Sequence, residues 1–165
     1  MHNKIFVYLF VTNASEMPLN EKTIDQLIRE TWLSIAKYYN QVASQYGGTM
    51  SIGFTLLNID PNEGTPSTTL PLKMGMKMTS LSRTLKRMED LGLIYKEKNP
   101  KDARSVIIKL TDLGSEMRQK AKETVLAFND FVTKQLGEER IRDLRESLEA
   151  INRICQQNQV KHHKS

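Results

Sequence analysis

The chain has 165 residues, 39% hydrophobic and 26% charged, and its 24 Lys and Arg against 19 Asp and Glu leave a net charge of +5. That length holds one ordinary core and is short for two, and the composition excludes a disordered chain. A lone cysteine, Cys155, excludes an internal disulfide and fits a reducing compartment, so the cytoplasm is the expected location.

The longest uncharged apolar run, "IFVYLFV" at 5–11, is far too short to span a bilayer, and no membrane association is expected. It reads as an N-terminal arm that packs on something, with an internal start at Met17 as the alternative. From Thr23 to Tyr46, Ile24, Leu27, Ile28, Thr31, Ile35, Tyr38 and Val42 recur three and four apart, which predicts a helix. "YGGTMS" ends it. "SIGFTLLNI" (51–59) reads as a short buried helix, and "DPNEGTPS" (60–67) as a loop of turn residues. Ser67 or Thr68 is the expected cap of a short helix with Pro71 in its first turn, where a missing N–H costs nothing. Gly75 makes a tight turn, and a second helix opens at Met78 or Thr79, runs to Leu91 and stops at Gly92.

Two strands follow, "LIYKEK" (93–98) and "SVIIKLT" (105–111), joined by the tip "NPKDAR". In the second, Val106, Ile108 and Leu110 alternate with Ile107 and Lys109, the pattern of a half-buried hairpin strand. Thr111 caps a long helix carrying Leu113, Met117, Ala121, Val125, Phe128 and Val132 at helical spacing, and Gly137 breaks it. In the last helix Glu138 and Glu139 favour the positive end, and Ile141, Leu144, Leu148, Ile151 and Cys155 form a coiled-coil-like seam. Cys155 there suits a small buried hydrophobe better than a redox sensor.

The charge is concentrated. Between Lys77 and Lys109 nine basic residues meet four acidic ones, an excess of five that equals the net charge of the whole chain. Two short helices joined through Gly75 and followed by a hairpin are the order of a winged helix-turn-helix. At about 100° per residue, Leu81, Leu85, Met88 and Leu91 share one side of the second helix. Thr79, Ser82, Arg83 and Lys86 take the other side, with Ser80 and Arg87 toward its edges. Hydroxyls and long cations are what a major groove accepts, since Arg can donate two bonds to a guanine edge. The hairpin tip then reaches toward the neighbouring minor groove, where an Arg meets concentrated negative potential. Asp102 is expected to grip the Arg104 guanidinium in a forked pair, while Lys101, Lys98 and Lys96 add phosphate contacts.

"TSLSRTLKRMEDLGLIYKEKNPKDARSVIIKLTDLG" resembles the core of the multiple-antibiotic-resistance regulator (MarR) family of bacterial transcription factors. The recognition helix "SLSRTLKRMEDLGLI", the D-x-R wing tip "DAR" and the "LTDLG" that opens the next helix carry the likeness. Pro71 and the 5–11 arm depart from the pattern. The resemblance implies a mainly α fold with a small β-hairpin wing, made of a winged helix-turn-helix DNA-binding region and a helical dimerisation region. The expected divisions are an N-terminal arm (1–20), dimerisation helices (21–48 and 111–158), a DNA-binding region (49–110) and a flexible tail (159–165). The implied function is that of a transcriptional regulator, a repressor, acting as a homodimer on a pseudo-palindromic operator in double-stranded DNA. Its expected DNA-binding residues are Thr79, Ser80, Ser82, Arg83, Lys86, Arg87, Lys98, Lys101, Asp102 and Arg104. A small-molecule effector of unknown identity is implied as well, with Trp32, Tyr38, Tyr39 and Tyr46 as pocket lining; ordinary aromatic core is the competing reading.

An enzyme is not expected. His2, His162 and His163 all lie near the termini, no phosphate-cradling glycine loop occurs, and no Cys or His pair has metal-ligand spacing, so neither cofactor nor metal is implied. The remaining alternative is a winged-helix protein–protein interaction module without sequence-specific DNA binding.

Overall fold

In a computed structural model, residues 21–162 are described, with side chains through residue 157. The 5–11 arm, His2 and His163 lie outside the described residues. Helix α1 (Ile24–Ser44) starts where the Gln26 side chain accepts the Thr23 backbone N–H at 3.1 Å. Helix α2 (Met50–Asn58) begins at Thr49, whose hydroxyl accepts the Ile52 N–H. Strand β1 (Thr65–Pro66) and helix α3 (Leu70–Met74) follow, and Gly75 closes α3 in the left-handed conformation (φ 60°) that glycine adopts without steric cost. Then come helix α4 (Met78–Asp90), strands β2 (Ile94–Lys98) and β3 (Val106–Leu110), and helices α5 (Asp112–Leu136) and α6 (Glu138–His162).

The sheet has three strands in the order β1-β3-β2, both pairings antiparallel, where the sequence pattern predicts a two-stranded hairpin. Thr65 faces Ile108 and Pro66 faces Ile107 across β3, a pairing too short and too remote in sequence to leave a periodic signal. Gly64 permits it: a Cβ there would come within 2.7 Å of both the Ile107 side chain and the Ile108 carbonyl. The same pairing corrects the expected start of α3. Ser67 donates its N–H to the Val106 carbonyl at 2.8 Å, so Thr69, not Ser67 or Thr68, stands at the helix N-terminus, with Pro71 in the first turn.

Ile52, Leu56, Ile59, Leu70, Leu81, Leu85, Met88, Leu93, Ile94 and Ile108 form one core that joins α2, α3, α4 and the sheet. Each such side chain contributes about 1.5–3 kcal/mol by leaving water. Thr111 locks the wing to α5, accepting the Gly114 N–H at 2.9 Å and donating to the Gly92 carbonyl at 2.6 Å. Gly114 leaves no space: a Cβ there would lie 1.8 Å from the Leu93 carbonyl oxygen.

Helix α6 touches mainly α5 and, among the described residues, buries no side chain fully; it extends through His162, beyond the boundary at 158 expected from sequence. Leu144, Leu148 and Ile154 on it are exposed, as are Ile24, Leu27 and Trp32 on α1 and Leu126 and Phe131 on α5. Cys155 is exposed, contrary to its expected burial, because its side of α6 meets no other element among the described residues. Among the described residues no helix is long and apolar enough to cross a membrane.

Candidate nucleic-acid interface and apolar pocket

Helix α4 separates its faces completely. Leu81, Leu85 and Met88 are buried, whereas Thr79, Ser80, Ser82, Arg83, Lys86 and Arg87 are all exposed. The Ser82 hydroxyl donates back to the Met78 carbonyl at 2.9 Å, fixing the first turn and leaving its oxygen lone pairs free to accept. Thr84, half-buried, bonds Ser51 of α2 at 3.2 Å and the Ser80 carbonyl, tying α4 to α2.

The hairpin pairs Ile94 with Leu110 through Lys98 with Val106. At about 3.3 Å per residue the five pairs span roughly 13 Å, and Val106 at the tip end still packs against the core. The tip is internally bonded. Asn99 accepts the Lys101 N–H at 3.0 Å and donates to the Ser105 hydroxyl at 2.8 Å, and Ser105 is only 6% exposed. Asp102 accepts the Arg104 backbone N–H at 3.0 Å. Its carboxylate is therefore engaged by main chain, and the expected fork onto the Arg104 guanidinium does not form. An Asx turn places a backbone donor two residues on, closer than the guanidinium at the end of its long side chain. Lys98, Lys101, Asp102 and Arg104 are all exposed.

Ion pairs sort the cations. Lys96 meets Glu89 at 2.6 Å, Lys109 meets Glu97 at 3.0 Å, and Lys86 meets Asp90 at a looser 3.6 Å. The hydrogen bond from Lys109 to Glu97 raises the ammonium pKa above its ordinary value. Lys96, expected to touch phosphate, is thus held by a carboxylate of α4. Among the described residues, Lys77, Arg83, Arg87, Lys98, Lys101 and Arg104 have no carboxylate at ion-pairing distance. The unpaired cations lie on α4 and its approach, and on the wing. Asn99 and Ser105 went unrecognised from sequence, although Asn-Pro at 99–100 is a turn-opening signal.

A second feature is an apolar cavity of about 290 Å³ between α1, α2 and α5, lined by Tyr39, Tyr46, Phe54, Leu93, Met117 and Lys120 among others. Of the four aromatics expected there, Tyr39 and Tyr46 line it and Trp32 and Tyr38 do not. Trp32 instead stacks on Phe54 (centroids 6.2 Å), and Tyr38 packs on Phe128 (5.2 Å). Burial, aided by neighbouring Tyr38, pushes the Tyr39 phenol pKa up. Lys120 sits 5.2 Å from the Tyr46 ring centre and pairs with Glu116 at 2.7 Å, so the one cation of the wall is already balanced.

Comparison with known proteins places this geometry. The family model "MarR family" matches residues 49–106, from the first turn of α2 to the start of β3. The HTH-type transcriptional regulator BilQ of Clostridioides difficile (strain CD3) is 21% identical over 136 residues, covering 82% of this chain and 92% of BilQ. The crystal structure of the S. aureus MepR–DNA complex superimposes with a TM-score of 0.74 at 21% identity, over 79% of this chain and 97% of MepR. CouR, a transcriptional repressor bound to a 23-mer DNA duplex, gives 0.72 at 24% identity, over 83% and 99% of the two chains. Residues 49–106 match the MarR family model, and the described fold is similar to that of solved MarR-family regulators.

Proposed function

We propose that the protein is a sequence-specific double-stranded DNA-binding transcriptional regulator, a repressor working in the cytoplasm as a homodimer on a pseudo-palindromic operator. The observation that carries this reading is the set of unpaired cations on α4 and the wing, raised on a core that leaves every charged residue of the helix outward. Residues 49–110 form the DNA-binding region. Thr79, Ser80, Ser82, Arg83, Lys86 and Arg87 face the major groove, and Lys98, Lys101 and Arg104 reach the backbone and minor groove, with Asp102 shaping the tip. Residues 21–48 and 111–158 supply dimerisation. The exposed apolar faces of α1, α5 and α6 support pairing with a second copy, since each Leu or Ile so covered gains about 1.5–3 kcal/mol. A two-fold dimer then sets two recognition helices about one turn of DNA apart.

The apolar cavity supports release by a small-molecule effector, because it lies where α1 and α5 of the dimerisation region meet α2 of the DNA-binding region. An occupant wedged there would alter the spacing of the recognition helices.

A mobility shift with fragmented genomic DNA across a salt series tests the reading. A DNA binder with several phosphate contacts loses on the order of 10³ or more in affinity between 50 and 200 mM salt. Salt-independent behaviour, or no shifted species at low salt, would favour the alternative of a protein-interaction module.

A further inference from the structure

Among the described residues that line the cavity between α1, α2 and α5, Lys120 is the sole charged one, and no carboxylate or histidine joins it. An ionised ligand has no other charge to meet, and Lys120 already holds Glu116 at 2.7 Å. An anion drawn to the ammonium would settle beside that carboxylate, a like charge. The other polar wall groups are engaged as well. The Thr124 hydroxyl donates to the Lys120 carbonyl at 2.9 Å, and the Thr49 hydroxyl accepts the Ile52 N–H at 3.3 Å. The N–H groups of Gly47 and Gly48 bond to the Ser44 and Ala43 carbonyls at 3.1 and 3.0 Å. Two phenols remain, Tyr39 and Tyr46, and a phenol gives or takes a hydrogen bond without supplying charge. An ion buried against such a wall stays uncompensated, at a cost far above that of a neutral group of the same shape.

Size and ring content narrow the class further. An apolar cavity of about 150 Å³ stays dry and takes up benzene, so the roughly 290 Å³ here suits about two rings. The rings of Tyr39, Tyr46 and Phe54 lie on the wall, and aromatic pairs gain more than their buried area alone. From this we infer that the cavity takes an uncharged molecule built on two fused aromatic rings. The inference rests on the effector reading of this cavity and deepens it by naming the chemical class.

Titration calorimetry of the full chain with naphthylmethanol, naphthoate, naphthylmethylammonium and benzyl alcohol tests charge and size separately. The uncharged bicyclic alcohol should bind at least about tenfold more tightly than either ion. It should also exceed benzyl alcohol at least about tenfold, since the smaller molecule gives up one ring of buried area. Lys120→Met should leave the affinity for naphthylmethanol within about twofold of wild type, because a neutral ligand makes no demand on the ammonium. Ala121→Leu and Val125→Phe add bulk to the wall and should each lower that affinity at least about tenfold, with circular dichroism confirming the fold. Either ion binding as tightly as naphthylmethanol overturns the assignment of charge, and naphthoate binding that vanishes in Lys120→Met traces the error to the ammonium. Benzyl alcohol binding equally well overturns the assignment of size. Undiminished binding in both filled variants puts the molecule elsewhere and overturns the site. If naphthylmethanol binds as expected yet leaves a selected duplex bound in a mobility shift, the ligand class stands and release by an effector falls. No binding of any of the four, by calorimetry or by thermal stabilisation, overturns the inference and leaves DNA binding standing.

Discussion

Removing the Arg104 guanidinium is the sharpest test of the wing. The Arg104 side chain enters no ion pair among the described residues, and the tip is held by main-chain N–H groups of Lys101 and Arg104 and by the Asn99–Ser105 bond. Arg104→Ala therefore deletes a charge without dissolving the turn. Each neutralised phosphate contributes about 0.9 to the slope of log affinity against log salt. Six unpaired cations per chain, about twelve in a dimer, set a ceiling near 11 for that slope. Losing one from each wing should lower it by about 1.8, so between 50 and 200 mM salt the variant should lose about tenfold less affinity than wild type. Fluorescence anisotropy on a selected duplex across a potassium chloride series measures this directly. Lys96→Ala is the matched control, because Lys96 is already held by Glu89, and its slope should stay near that of wild type. An Arg104→Ala slope equal to wild type would mean the wing does not reach phosphate. Equal reductions in both variants would mean that overall charge, not position, drives binding.

Arg83→Ala should cost about 1–3 kcal/mol in operator affinity and relax preference at one position per half-site; a uniform loss across an operator library would instead make Arg83 a backbone contact. Gly114→Ala forces a Cβ against the Leu93 carbonyl, so thermal unfolding should show a loss of at least about 1–3 kcal/mol, and an unchanged melting temperature would refute the close approach. Leu144→Asp combined with Leu148→Asp places charge on the exposed seam of α6; sedimentation should show a folded monomer with much weakened operator binding, whereas a persistent dimer would locate the subunit interface elsewhere.

Much of the architecture was legible in the one-dimensional pattern, and the reason is local. A stripe such as Leu81, Leu85, Met88 and Leu91 follows from helix pitch alone, and the hydroxyl of Thr111 and the missing Cβ of Gly75 act within a few residues of themselves. Features that depend on which distant segments meet could not be read that way. Strand β1 exists because a loop at 65–66 reaches β3 some forty residues later, and that contact also displaces the cap of α3. The charge count of the basic block was visible, but its division into paired and unpaired cations waited on Glu89 and Glu97 arriving beside Lys96 and Lys109.

The aromatics make the same point at the cavity. The family resemblance implied Trp32, Tyr38, Tyr39 and Tyr46 as pocket lining, yet only Tyr39 and Tyr46 line the cavity, while Trp32 stacks on Phe54 and Tyr38 packs on Phe128. Asp102 shows the limit at shortest range, where a turn geometry awarded its carboxylate to a backbone N–H two residues away instead of the guanidinium of the same residue. By itself the sequence determined the order of the helices and the hairpin, the buried face of α4 and the sign of the surface. Only the tertiary structure decided the partners, because a charge or a ring is spent or left available according to what folding brings within a few ångströms of it.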